Sequence, residues 1–472
     1  MTSASVHLGM THRFLLAFGF AATFAVQACA GHEAQTLPVR SALDAGQPQS
    51  AIRALNEALG VKTDKDLPVD IQGDKALFVL DRASIQQSLV QFARSKEDFQ
   101  AADKAIDMLD LAHNAGDSIG AYVFSGSSAR YVAPPYEKLL INTLNMLNYL
   151  ETRDLSGALV EARRLAVIQR YIRDELNESD NAILGLGSFL AGFAYEKSGQ
   201  TDEALRYYDD ALGFAGFRSL RGPVAELART GSYRSPRIKS LLSGGVAAGD
   251  DPVVPVASTG AAAGGTAGAG TGADVIVVVG YGRIPHKIPQ RIPIGLALTM
   301  VSGAISPYDH ARANRLAAQG LVTWVNYPTL APGQGAFELP FCQVDGRPMG
   351  LEQAVDVTAQ VRAEWKKAEG KIVVSAITRM ISRLMVGEAI RNADSKSPIA
   401  LLLSLGAQAT LTVLDKPDTR SWETLPARVA ITRMHLPAGT HRFELAARGV
   451  TRSQNLDLRD GDWAVVSLQA LR

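Results

Sequence analysis

The residues best placed for chemistry lie near the N-terminal end. An apolar run from Phe14 to Val26 leads into Val26-Gln27-Ala28-Cys29, with Arg13 just before it. A positive start, a short apolar core and a small residue directly before a cysteine form a lipoprotein-type signal, in which the cysteine thiol is lipidated and becomes the first residue of the mature chain. The run is shorter than the ~20 residues a bilayer span requires. Residues 1–28 are therefore expected to be a removed signal peptide starting at Met1 or Met10, with Cys29 the lipidation site; the alternative is an ordinary signal peptide cut near Ala30, with Cys29 incidental. Ala30, rather than Asp, follows the cysteine, which in Gram-negative sorting favours the outer membrane. The expected location is the cell envelope, facing the periplasm.

Other candidate chemistry fails on context. The tract Gly260–Gly272 has the composition of a phosphate loop, but it precedes the apolar strand Asp274–Val279, and no Gly-Lys-Ser/Thr occurs. After that strand, Gly280-Tyr281-Gly282 runs into Pro285 and Pro289, which exclude the helix whose N-terminus would hold a pyrophosphate. There is no Gly-x-Ser-x-Gly elbow and no His-Glu-x-x-His pair. His435 and His441 flank one turn and are placed to face each other across strands, without the third ligand that a zinc-type site needs. The expectation is no catalytic residue, no metal and no cofactor. The alternative is an envelope enzyme or ligand sensor with its site in the C-terminal half.

Charge is patterned locally although it is balanced overall. The chain has 48 Lys and Arg against 47 Asp and Glu, a net +1 that gives no bulk attraction to nucleic acid. Yet Arg218, Arg221, Arg229, Arg234, Arg237 and Lys239 face Glu226 alone within their stretch, and Arg283, Lys287 and Arg291 follow with no acid through Pro293. Arg218, Arg221, Arg234, Arg237, Lys239, Arg283, Lys287 and Arg291 are candidate contacts to anionic headgroups or an acidic partner, each worth up to about 1 kcal/mol near an anionic surface. Besides Cys29 only Cys342 is present, so there is no disulfide framework, and a buried thiol is expected at Cys342.

The elements that carry these residues fall into two halves, as expected for 472 residues. Residues 38–243 are rich in Ala, Leu, Glu, Arg and Gln with helical spacing of apolar positions. Residues 244–272 form a Gly/Ala-rich linker, expected to be flexible because small side chains bury too little surface to offset ordering. Residues 273–472 read as a mixed α/β domain holding all four tryptophans. Its end alternates over Arg428–His435, turns at Leu436-Pro437-Ala438-Gly439-Thr440 and alternates again over His441–Ala447, which predicts a β-hairpin with Asp462–Leu468 as a strand beside it.

The helical half repeats. In Phe189–Ala211, the residues Gly192, Tyr195, Gly199, Ala204, Tyr208 and Ala211 fall at tetratricopeptide spacings. Gly192 and Ala204 let two antiparallel helices approach, Gly199 ends the first, and Tyr195 and Tyr208 fill the groove between them. Tyr149 and Ala158, nine apart, echo the pair Tyr195 and Ala204, as do Gly46 with Ala51 and Ala58; a weaker echo is Phe99-Gln100-Ala101 leading to Ala105. The fold class is thus multidomain, with a tetratricopeptide-like helical solenoid, a linker and an α/β domain. Stacked pairs would present a concave groove to a partner's segment near Tyr149, Tyr195 and Tyr208.

The stretches Pro135–Leu150 and Gly157–Arg164, with Asp418–Pro426 and Leu436–His441 in the second half, resemble an uncharacterised family of bacterial tetratricopeptide-repeat envelope lipoproteins. The resemblance covers most of the chain beyond Cys29. It implies an envelope lipoprotein and no established activity. Together with the repeats, it gives the expectation of a lipid-anchored scaffold or assembly factor that binds an envelope protein.

Overall fold

The computed structural model describes residues 31–71, 73–106, 131, 133–174, 182–243, 272–301, 305–318, 324–334, 338–392 and 417–472. The expected signal peptide, Cys29 and the linker through residue 271 lie outside the described residues. The architecture is mixed, with helices in the first half and strands with helices in the second. Among the described residues no helix is long and apolar enough to cross a membrane.

Among the described residues, ten helices fill the first half: α1 (His32–Asp44), α2 (Pro48–Leu59), α3 (Asp74–Ser88), α4 (Phe92–Ala105), α5 (Pro135–Glu151), α6 (Leu155–Asp174), α7 (Ala182–Lys197), α8 (Thr201–Ala215), α9 (Arg218–Thr230) and α10 (Pro236–Leu242). Four successive pairs are closed by the same three-residue turn. Its middle residue is left-handed each time: Gly46 (φ 71°), Val90 (61°), Arg153 (57°) and Gly199 (78°). The residue after it donates its N–H to a carbonyl five positions back, at Ala42, Gln86, Tyr149 and Tyr195. This is the Schellman closure, which satisfies orphan helix carbonyls and folds the next helix back antiparallel. Five residues beyond the turn centres stand Ala51, Ser95, Ala158 and Ala204, all fully buried where paired helices cross. The register corrects the echo around Phe99: the residues that match Ala204, Tyr208 and Ala211 are Ser95, Phe99 and Ala102.

The described residues of the second half build three sheets. The first has the order β10 (Trp463–Ala470), β1 (Ala273–Tyr281), β7 (Arg428–Leu436), β6 (Glu352–Asp356), with β1 parallel to β10 and antiparallel to β7. The second has the order β5 (Arg347–Pro348), β4 (Phe341–Val344), β8 (Gly439–Ala447), β9 (Val450–Leu458). A two-stranded ribbon pairs β2 (Lys287–Pro293) with β3 (Trp324–Leu330).

Beyond Asp274, strand β1 is apolar because both of its faces are covered. Ile276 and Val278 join a cluster with the helices, while Val275, Val277 and Val279 join Phe443, Leu445 and Cys342 of the second sheet. The layers are therefore helices, first sheet, second sheet. Leu139, Leu147, Phe193, Ile276, Ile431 and Val465 belong to one continuous cluster, so the described residues of the two halves share a core where the sequence reading expected bodies hinged by a linker.

The ribbon stands on a separate apolar cluster. It packs with α11 (Ile294–Met300), α12 (Pro307–Ala318) and the long α13 (Val357–Asn392) around Ile292, Leu298, Val325, Trp365, Val373 and Ile377.

Two strand expectations are corrected. Strands β7 and β8 do not pair with each other: β7 pairs with β1 and β6, and β8 pairs with β4 and β9. Residues 437–438 pass from one sheet to the other. The hairpin is β8–β9, closed by Arg448 (φ 47°) and Gly449 (φ 74°), the two left-handed residues that a type I′ turn requires. The final strand lies beside β1 and not beside that hairpin.

Candidate functional site

The repeat residues are packed as core. The Tyr208 ring occupies the space that Gly192 leaves, where an added Cβ would come within 2.5 Å of it. Tyr208, Ala204 and Ala211 are fully buried, as is Ala158. Tyr195 stacks on Tyr207, not on Tyr208, with centroids 5.2 Å apart, and Tyr149 lies over Gly157. The Tyr208 hydroxyl donates to Glu196 at 2.7 Å and lies 3.1 Å from Arg433 of β7. The side of the helices expected to be an open groove here is thus occupied by the chain's own first sheet.

The eight candidate anion contacts do not form one surface. Arg283 is buried and paired with Asp44 at 2.6 Å. Lys287 is also buried, where its charge stabilises the carboxylates of Glu137 and Asp418. Arg237 holds Asp209 at 2.7 Å. Arg218, Arg234 and Lys239 are exposed, Arg221 is half-buried, and Arg291 lies over the Trp324 ring, 5.3 Å from its centroid. Local runs of positive charge say nothing about distant carboxylates, and those set the burial of Arg283 and Lys287.

The densest titratable cluster was not visible from local sequence. Residues 419–425 are all buried, threaded against α1, α3 and α5. Asp81 on α3 accepts from the backbone N–H of Glu423 (3.1 Å) and Thr424 (3.0 Å) and from the Thr424 hydroxyl (2.8 Å). Glu137 on α5 accepts from the Trp422 N–H at 3.2 Å and from the Tyr131 hydroxyl at 2.7 Å. Glu423 is held by Arg40 at 2.6 Å and by Thr36 at 3.0 Å. His32 stacks on Phe78 and places Nε2 3.2 Å from the Ser421 carbonyl and Nδ1 3.4 Å from Asp74.

Burial dominates the electrostatics. It pushes Asp81 up to about 7, with Glu423 adding to the rise, and pushes Glu137 and Glu423 up as well. Burial works against the His32 imidazolium, but Asp74, Glu423 and Asp81 together outweigh it and raise its pKa. A cluster of this kind has the ingredients for acid–base chemistry. Asp81 and Glu137 accept from the backbone of residues 422–424, and Glu423 is held by Thr36 and Arg40. What the cluster does in the fold is hold that segment, although Asp81 Oδ2 has no partner among the described residues.

Two further clusters join the helices to the first sheet. Arg433, buried, contacts Glu196 at 2.7 Å and Asp274 at 2.9 Å, and Lys197 closes the ring by pairing with both acids. Burial raises the pKa of Asp274, yet Arg433 and Lys197 outweigh it and bring it down to about 2. Glu151 receives Arg452 at 2.8 Å and the Ser467 hydroxyl at 2.6 Å.

The two histidines considered for a metal are apart: His435 lies 3.4 Å from Asp274 on the first sheet, and His441 binds Asp345 at 2.7 Å on the second. Among the described residues no group of His, Cys, Asp and Glu is arranged to hold a metal ion. Cys342 is a free buried thiol whose pKa burial pushes up to about 12. Comparison of the chain with family models, curated proteins and solved structures gives no match.

Proposed function

We propose that this chain is a lipid-anchored scaffold of the bacterial cell envelope, tethered through Cys29 and binding an envelope protein through helical repeats of tetratricopeptide type. What carries the reading is the recurrence of one turn: the same closure at Gly46, Val90, Arg153 and Gly199, each followed five residues later by a fully buried small residue. Repeated helix pairs of this kind build extended binding surfaces.

The side facing the first sheet is filled, so the partner surface lies on the opposite helices. On α6 the exposed Val160, Arg163, Val167 and Arg170 follow helical spacing along one stripe. The space between the two larger sheets is packed with Val277, Val466, Phe443 and Leu445, which leaves no room there for an enzyme or sensor site. That packing supports binding over catalysis.

Photo-crosslinking in intact cells tests the proposal. A photoreactive residue at 160 or 167 should give a discrete adduct with one partner, and one at the buried position 165 should not. Absence of an adduct along the whole stripe refutes the scaffold role. Metabolic labelling with palmitate separates the anchor from the repeats: wild type should be labelled and Cys29→Ser should not.

A further inference from the structure

The ribbon β2–β3 with α11, α12 and α13 combines two properties. The first is exposed apolar surface. Leu296 and Met300, one turn apart on α11, are 51% and 43% exposed, Tyr308 at the start of α12 is 66% exposed, and Trp324 is 42% exposed. Trp324 pairs in register with Pro293, the residue that leads into α11, so it stands at the same end of the ribbon as Leu296. Strand alternation puts Arg291 and Trp324 on the outer face, away from Ile292, Val325 and Tyr327, which point into the core beneath. Arg291 covers the indole.

The second property is charge. Leaving out the buried Lys287, residues 288–330 and 357–392 hold ten Lys and Arg against four Asp and Glu, a net +6 in a chain whose total is +1. On α13 the exposed Arg362 and Lys366 lie one turn apart on one flank of the buried stripe Val361, Trp365 and Ile372, and the exposed Lys371 lies on its other flank.

We propose that this subdomain docks on a bilayer containing anionic phospholipid, with Trp324, Leu296 and Met300 entering the interface and the Lys and Arg contacting headgroups. Tryptophan favours the headgroup level, where its ring is half in hydrocarbon and its N–H is wet. Basic side chains add electrostatic attraction that falls off within a Debye length. An acidic protein would be attracted by the same charge, but it gives no reason for a tryptophan and two aliphatic side chains to be left exposed at one end of the ribbon. The inference rests on the proposed envelope location only for the presence of a membrane nearby.

Of the four tryptophans, Trp422 and Trp365 are buried, Trp463 is half-buried, and Trp324 alone is exposed, which supplies a specific readout. The processed chain, residues 29–472 with Cys29→Ser so that no lipid anchors it, should co-sediment with phosphatidylglycerol–phosphatidylethanolamine vesicles and not with phosphatidylcholine vesicles. Its emission should move to shorter wavelength on binding, and high salt should release it. Trp324→Phe should still sediment, with the shift gone. The triple variant Arg362→Gln, Lys366→Gln, Lys371→Gln should partition on the order of 100-fold more weakly.

The proposal is overturned by any of three results: no sedimentation with anionic vesicles, a shift that survives in Trp324→Phe, or a triple variant that binds like wild type. Retention on immobilised polyglutamate without vesicle binding would assign the surface to an acidic protein instead. Because the assay uses unlipidated protein, its failure leaves the palmitate result untouched.

Discussion

The indole of Trp422 donates to the hydroxyl of Ser84 at 3.2 Å and meets the ring of Phe99 edge-on at 5.8 Å, so a residue late in the chain is seated between two helices from its first quarter. Trp422 is fully buried. It is the apolar centre of the segment that Asp81, Glu137 and Arg40 fix by its polar atoms.

Replacing Trp422 by Ala should therefore destabilise the fold by about 3–5 kcal/mol through the cavity it leaves. Chemical denaturation should show the helical and β signals lost together at a lower midpoint. A β signal that melts first and alone would mean that the segment does not tie the layers.

Asp81 predicts a specific pH dependence. Its folded pKa is raised from 3.8 to about 7, with Glu423 and His32 facing it. The folded state thus binds more protons than the unfolded state between about pH 4 and pH 7. The contribution to stability falls as pH rises through that window, by roughly 4 kcal/mol for the isolated group, and is flat above it. Asp274, lowered from 3.8 to about 2, acts oppositely: its contribution is present above about pH 4 and is lost as pH falls toward 2. Asp81→Asn should flatten the slope between pH 4 and 7 in a series of urea melts, with the gain over wild type largest at the alkaline end.

Val90 is a β-branched residue at φ 61° and 46% exposed. A left-handed conformation costs such a residue ~1–2 kcal/mol. Val90→Gly should stabilise the protein by about 1 kcal/mol, whereas Gly199→Val, at φ 78°, should lower the unfolding midpoint. Equal and opposite shifts would show that the four turns share one backbone requirement.

Gly192→Ala places a methyl group against the fully buried Tyr208 ring. Overpacking of this kind costs about 1–3 kcal/mol. Arg433→Met should cost more, about 3–5 kcal/mol, because it strands Glu196 and Asp274 in the interior. Glu196→Gln in the Arg433→Met background should recover part of that loss, and the double-mutant cycle measures how much.

Much of the fold was legible in residue order, for physical reasons. The run Asp274–Val279 reads as a strand covered on both faces, and β1 is one. The pair around Gly192 and Tyr208 reads as two helices in close contact, and the missing Cβ is where the ring sits. Strand pairing was not legible. The alternation in 428–435 and 441–447 marks two strands, but nothing within them distinguishes a hairpin from a step between sheets, which the helix layer decides by claiming Ile431 and Arg433. Burial of the polar segment 419–425 was hidden for the same reason. Ser-Trp-Glu-Thr reads as surface until Asp81 and Glu137, hundreds of positions upstream, supply acceptors for its N–H groups.

Strand β1 acquires both of its hydrogen-bonded neighbours, β7 and β10, from the last tenth of the chain. During synthesis or export from the N-terminal end, the helices would emerge with Leu139, Leu147 and Phe193 facing water until Val465 and Leu471 arrive to cover them. Closure of the helix face thus waits for residues 428–471. A chaperone or protease that senses exposed helix surface would be reading whether residues 428–471 had docked.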